Sequence, residues 1–244
     1  MSARKTLATT ARVLAQLRHD PRTIGLILFV PPILLTILKY AFQAEPQVFN
    51  HLAPMILGVF PLTIMFIVTS IATLRERTTG TLDRLMTMPI SKFDFVLGYA
   101  LAFSLLAFLQ ACLVSLVTLG LLGVTVLGGT APVLLCAVLA AFLGTNLGLF
   151  VSAFARTEFQ AVQFMPALIF PQLLVCGLFV ARESMARPLQ WFADVMPLTY
   201  SVDALKQVTL HSSWSGTLTR DVGVVLGFAI VALILGSITI RRQE

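Results

Sequence analysis

The chain has 244 residues, of which 57% are hydrophobic and only 11% charged; soluble domains carry about a quarter charged residues, so a soluble fold is excluded. The net charge of +6 and the pI near 9.7 point to contact with anionic headgroups. Nucleic acid is excluded, because no basic groove with interleaved aromatics occurs along the chain.

The first 22 residues read as an amphipathic helix. Leu7, Ala11, Leu14 and Ala15 share one helical face, and Arg4, Lys5, Arg12 and Arg18 lie largely off it. Such a helix rests in the membrane interface, with Asp20-Pro21 as its stop. From residue 23 on, apolar runs long enough to cross a hydrocarbon core, about 20 residues each, cover 23–40, 52–74, 95–118, 133–155, 159–181 and 222–240. They are continuous and about twice as long as barrel strands, so the fold class is all-α integral membrane protein with six transmembrane helices. The first run shows no small-residue cleavage site and is expected to be retained as a span.

Prolines interrupt three spans, at Pro31-Pro32, Pro54 and Pro61, and Pro166 and Pro171. These are either kinks beside a pathway or ordinary packing kinks. Two GxxxG spacings, Gly144 to Gly148 and Gly223 to Gly227, serve close helix packing either inside one subunit or between subunits. Cys112, Cys136 and Cys176 stand singly in spans, without metal or redox spacing, and read as packing residues. As drawn, no span contains Asp or Glu, which argues against a proton- or sodium-coupled carrier. His19, His51 and His211 fall in separate segments and no triad, HExxH or paired-carboxylate pattern is visible, so an intramembrane enzyme or scaffold is the weaker reading.

Lys and Arg orient the spans. Arg4, Lys5, Arg12, Arg18, Arg22, Arg75, Arg77, Arg84, Lys92, Arg156, Arg241 and Arg242 all fall on one side of the six-span arrangement. Both termini and the connection 75–94 are therefore expected in the cytoplasm, in a multi-pass protein of the cell membrane. On the other side, the segment 182–221 carries Trp191, Phe192, Tyr200 and Trp214, which suit an interface. After Pro197, Leu198, Val202, Leu205 and Val208 follow helical spacing, so external or re-entrant helices are expected before the last span.

The stretch 74–94, LRERTTGTLDRLMTMPISKFD, is a polar island. Thr81 caps a short helix, Asp83 sits in its first turn, Leu82, Leu85 and Met86 form one face, and Pro89 closes it. Two turns gain little from their own hydrogen bonds, so this helix needs something to hold it. Its residues resemble the cytoplasmic loop of type-2 ABC exporter permeases, especially the daunorubicin-resistance-like branch. The matching run is Glu76, Gly80, Thr81, Leu82, Asp83, Leu85 and Pro89, followed by Ser91, Leu97 and Gly98. HDPRTIGLILFVPPILL resembles the family's approach to its first span, and PLTYSVDALK, with Pro197, Tyr200, Asp203 and Lys206, its external motif. Cys176-Gly177 departs from the Ser-Gly pair of many relatives, and the following Phe179-Val180-Ala181 lacks the usual proline.

The resemblance implies a permease paired with a second one, identical or paralogous, on two cytoplasmic ATP-binding subunits. The helix at 81–88 would be the coupling helix, with Glu76 and Asp83 meeting basic residues of the ATPase and Leu82 and Leu85 filling its groove. The substrate implied is a hydrophobic drug or lipid, with polysaccharide or glycolipid export as the alternative. No GxxxxGK[ST] phosphate loop occurs in the chain. No cofactor or metal is therefore expected here; ATP and Mg would be bound by the partner ATPase.

Overall fold

A computed structural model describes residues 2–79 and 91–239. Among the described residues the regular structure is entirely helical. The chain runs through α1 (Ala3–Arg18), α2 (Pro21–Ala41), α3 (Pro46–Thr78) and α4 (Lys92–Leu116), then α5 (Thr130–Ser152), α6 (Glu158–Val175), α7 (Arg187–Val195), α8 (Pro197–Leu210) and α9 (Gly216–Thr239). A π turn, Val117–Leu121, extends α4. Local chemistry sets the starts: Asp20 accepts from the Thr23 amide and hydroxyl at the head of α2, Ser91 accepts from the Asp94 amide at the head of α4, and Thr157 accepts from the Gln160 amide at the head of α6. The two Thr23 bonds hold the Asp20 carboxyl below its ordinary value.

Five stretches are long and apolar enough to cross a membrane: α2, α3, Phe93–Leu121, α5 and α9. The expected fifth span, 159–181, is shorter than drawn. Its helix, α6, has 18 residues and stops at Val175, giving about 27 Å of rise against a hydrocarbon core of about 30 Å. Gly177 then turns the chain at φ +87, a left-handed conformation that glycine adopts without strain.

α3 and α5 are the central pair, and glycines explain how close they run. A Cβ at Gly144 would lie 2.1 Å from the Leu62 carbonyl oxygen, and one at Gly148 would lie 2.5 Å from that of Phe66. The first GxxxG pair therefore packs within the subunit, whereas Gly223 and Gly227 face open space. Around this pair, Met55, Leu62 and Phe66 of α3, Ala140 and Leu143 of α5, Leu198 and Val202 of α8, and Val225 and Ala229 of α9 form one core. Pro31, Pro32, Pro54 and Pro61 are buried inside their helices, and α3 passes both of its prolines without a break. Two amide side chains inside the bundle find carbonyls: Gln110 donates to Ile27 O at 3.0 Å and Asn146 to Phe142 O at 2.8 Å.

α8 buries Pro197, Leu198, Ser201, Val202, Leu205 and Val208 against α3, α5 and α9. One expectation changes here: the membrane helix set is not free of carboxylates. The last span begins at Gly216 instead of 222, which brings the fully buried Asp221 into it. α4 likewise begins early enough to include the buried Asp94.

The helix contact makes a quantitative expectation. Gly144→Ala should destabilise the purified chain by about 1–3 kcal/mol through overpacking against backbone, whereas Gly223→Ala should leave the thermal unfolding midpoint unchanged.

Candidate functional site

The residues on either side of 80–90 converge at one end of the bundle. The incoming arm is the last turn of α3. Its three consecutive charged residues point in three directions, as successive helical positions must, and each finds a different partner. Arg75 reaches α6, with Nε donating to Glu158 Oε1 at 2.6 Å and Nη2 to Oε2 at 3.0 Å. Arg77 reaches the C-terminal end of α5, where Nη1 donates to the Ser152 carbonyl at 2.5 Å. Glu76 turns to α1: Oε2 accepts from Arg12 Nη2 at 3.3 Å and Oε1 from Gln16 Nε2 at 3.1 Å.

These ties differ in worth. The Arg75–Glu158 pair is forked but well exposed, so its net contribution is about 0–1 kcal/mol. The Glu76 side chain is only 11% exposed, so loss of Arg12 would leave a carboxylate with little water to replace it. Arg12 also donates to the Tyr99 hydroxyl of α4 at 2.5 Å, with its guanidinium carbon 5.8 Å from the Tyr99 ring centroid. One arginine thus joins α1, α3 and α4.

The outgoing arm is held by the same helix. Asp94, in the first turn of α4, is buried, and its Oδ1 accepts from the Ser2 amide at 3.2 Å and the Thr6 hydroxyl at 3.4 Å. One turn on, the Gly98 carbonyl accepts from the Thr10 hydroxyl at 3.1 Å, and a Cβ at Gly98 would lie 2.6 Å from Thr9 Cβ. α1 therefore packs through Thr6, Thr9 and Val13. Leu7, Ala11 and Ala15, on the face expected at the membrane interface, are exposed and point away from the side that packs on α4. The apolar stripe is on the outside because Gly98 admits only small residues, and the threonines supply them.

Of the residues singled out in the sequence, Glu76 is brought into this junction. Gly80, Thr81, Leu82, Asp83, Leu85 and Pro89 lie outside the described residues. Arg12, Gln16, Tyr99 and Asp94 were missed as partners. The signal for two of them was available, since Arg12 and Gln16 stand one turn apart and both flank Val13.

The external motif occupies the other end of α3. Pro197 opens α8 and is buried. The Tyr200 hydroxyl donates to the Asp194 carbonyl at 2.6 Å, closing α7 onto α8. Arg182 bridges the Asp194 and Asp203 carboxylates, the latter at 2.9 Å; burial pushes the Asp203 carboxyl up from its ordinary value against the pull of Arg182. Lys206 lines a hollow beside the start of α3. Nearby, Asp221 accepts from Gln207 Nε2 at 2.7 Å and from Arg220 at 2.9 Å, which balances its buried charge.

The Glu76 junction can be probed directly. Glu76→Ala should cost about 2–4 kcal/mol in unfolding, a little below the ~3–5 kcal/mol scale for breaking a fully buried pair because Arg12 is partly exposed. The double variant Arg12→Met with Glu76→Met should be less destabilised than the sum of the two single changes, measured as a double-mutant cycle.

Comparison with known proteins identifies the family. A family model described as ABC-2 type transporter matches residues 4–210. ABC transporter G family member 20 of Dictyostelium discoideum is 29% identical over 161 residues, 66% of this chain and 22% of the relative. The inner membrane transport permease YhhJ of Escherichia coli is 28% identical over 177 residues, 72% of this chain and 46% of the relative. The linearmycin resistance permease protein LnrN of Bacillus subtilis is 24% identical over 168 residues, 69% of this chain and 43% of the relative. The chain spans less than half the length of these relatives. With a matched region that takes in α1 through α8 and both arms of the 80–90 connection, the chain belongs to the ABC-2 type transporter family and is one of its membrane-spanning permeases.

Proposed function

We propose that this permease is the membrane half of an ATP-driven exporter, worked from the cytoplasm through residues 81–88. The observation that carries the reading is the double anchorage of the 80–90 connection. Its incoming arm is tied to α1, α5 and α6, and its outgoing arm to α1. A short helix held at both feet transmits displacement to whole helices, whereas one on slack tethers would dissipate it.

In this reading the chain forms six spans with α6 as the fifth, pairs with a second permease, identical or paralogous, and rests on two cytoplasmic ATPase subunits that bind ATP and Mg. Leu82 and Leu85 enter a groove of the ATPase and Asp83 meets its basic residues. Glu76, by contrast, serves the anchorage. The clustering of Arg12, Arg75, Arg77 and Arg156 around this end supports a cytoplasmic placement of it and of the termini. A hydrophobic drug or lipid-like substrate is favoured by the kinship to a linearmycin resistance permease.

Two changes test the coupling. Deletion of residues 79–90 should abolish copurification with the ATPase while membrane insertion persists; stoichiometric binding by the deleted form would overturn the reading. Leu85→Asp should leave ATP hydrolysis running but lower substrate export in inverted vesicles at least about tenfold, the scale of losing one buried apolar anchor.

A further inference from the structure

At the end of α3 opposite the 80–90 connection, a hollow of about 530 Å3 lies between the start of α3, the turn after α6 and the middle of α8. Its polar groups are Lys206, His51 and the Gln47 amide; Leu52, Leu178 and Phe179 supply much of its apolar wall. No carboxylate lines it. The nearest acid on the same helix, Asp203, is engaged by Arg182 at 2.9 Å. The Lys206 side chain is half-buried and makes no hydrogen bond or close ion pair among the described residues, although Asp203, one turn away, feels its charge. An ammonium with unused donors beside apolar wall is costly unless an anion or water meets it.

We propose that this hollow binds an anionic phospholipid, its phosphate on Lys206 and its glycerol or headgroup hydroxyls against His51 and Gln47. The acyl chains lie along Leu52, Leu178 and Phe179. Three observations favour a lipid over a free anion. The wall is mainly apolar, so a bare phosphate would leave it wet. Phe179 is strongly exposed at the rim, where chains would cover it. Trp191 and Trp214, both exposed at this same end, mark the depth at which headgroups sit. The turn at Gly177 is what brings Leu178 and Phe179 round to face the start of α3.

The proposal concerns binding by this chain alone and needs no ATPase, so its failure would leave the coupling reading intact. The purified full chain would be examined by native mass spectrometry with dioleoylphosphatidylglycerol, dioleoylphosphatidylcholine or glycerol phosphate. The wild type should retain phosphatidylglycerol about fivefold over phosphatidylcholine, the upper range for a partly exposed ion pair. Lys206→Gln should erase that preference with an unchanged unfolding midpoint, and Lys206→Arg should restore it. A phosphatidylglycerol carrying a photoreactive acyl chain should label peptides containing 47–52 and 177–181. Equal retention of the two lipids, an unchanged preference in Lys206→Gln, labelling elsewhere, or glycerol phosphate competing as well as the whole lipid would each overturn the proposal.

Discussion

The close approach of α3 and α5 is the constraint from which the rest of the molecule follows. Where Gly144 and Gly148 meet the carbonyls of Leu62 and Phe66, backbone touches backbone, and no side chain is left to act as a cushion. In lipid the hydrophobic effect does little to press two helices together, so dispersion contact over such a seam has to do so. It fixes the axis of α3, and through α3 it fixes both ends of the molecule: Arg75, Glu76 and Arg77 at one, Gln47 and His51 at the other.

At the first of these ends, polar chemistry takes over from packing. Arg12 and Gln16 hold Glu76 while Thr6 and Thr10 hold the head of α4, so α1 works as a strap across the two arms of the 80–90 connection. The strap is specific because it is made of directional bonds and small side chains. Its outer face, with Leu7 and Ala11, remains free to lie against lipid. α1 can therefore satisfy membrane and bundle at once, a division that a helix with a single apolar face could not make.

Much of this was legible in the sequence where lipid dictates the outcome. Apolar length located α2, α3, α4, α5 and α9, since nothing else can hide a backbone in hydrocarbon. Legibility failed where the contact is local and polar. Apolar periodicity picked out the Leu7 and Ala11 face of α1 but not the opposite one, because it cannot register that Gly98 leaves room for threonine there. The apolar run that defined the last span began at 222 and left out Asp221, whose carboxylate Arg220 pairs with and Gln207 hydrogen-bonds inside the fold. Glu76 was recognisable by motif, yet its partner, sixty-four residues earlier in the chain, belongs to tertiary structure that no local pattern encodes.

α3 has a further consequence through its length. Its 33 residues make a rod of about 50 Å, while the oily layer it crosses is about 30 Å deep. The surplus, roughly four turns, has to be taken up by tilt or by lying beyond the hydrocarbon. Arg75, Glu76 and Arg77 occupy the last turn of the helix, where its length spares their charges the hydrocarbon and tertiary partners receive them. The extra length of α3 thus sets its charged turn beyond the oily layer, where α1 reaches it from the side.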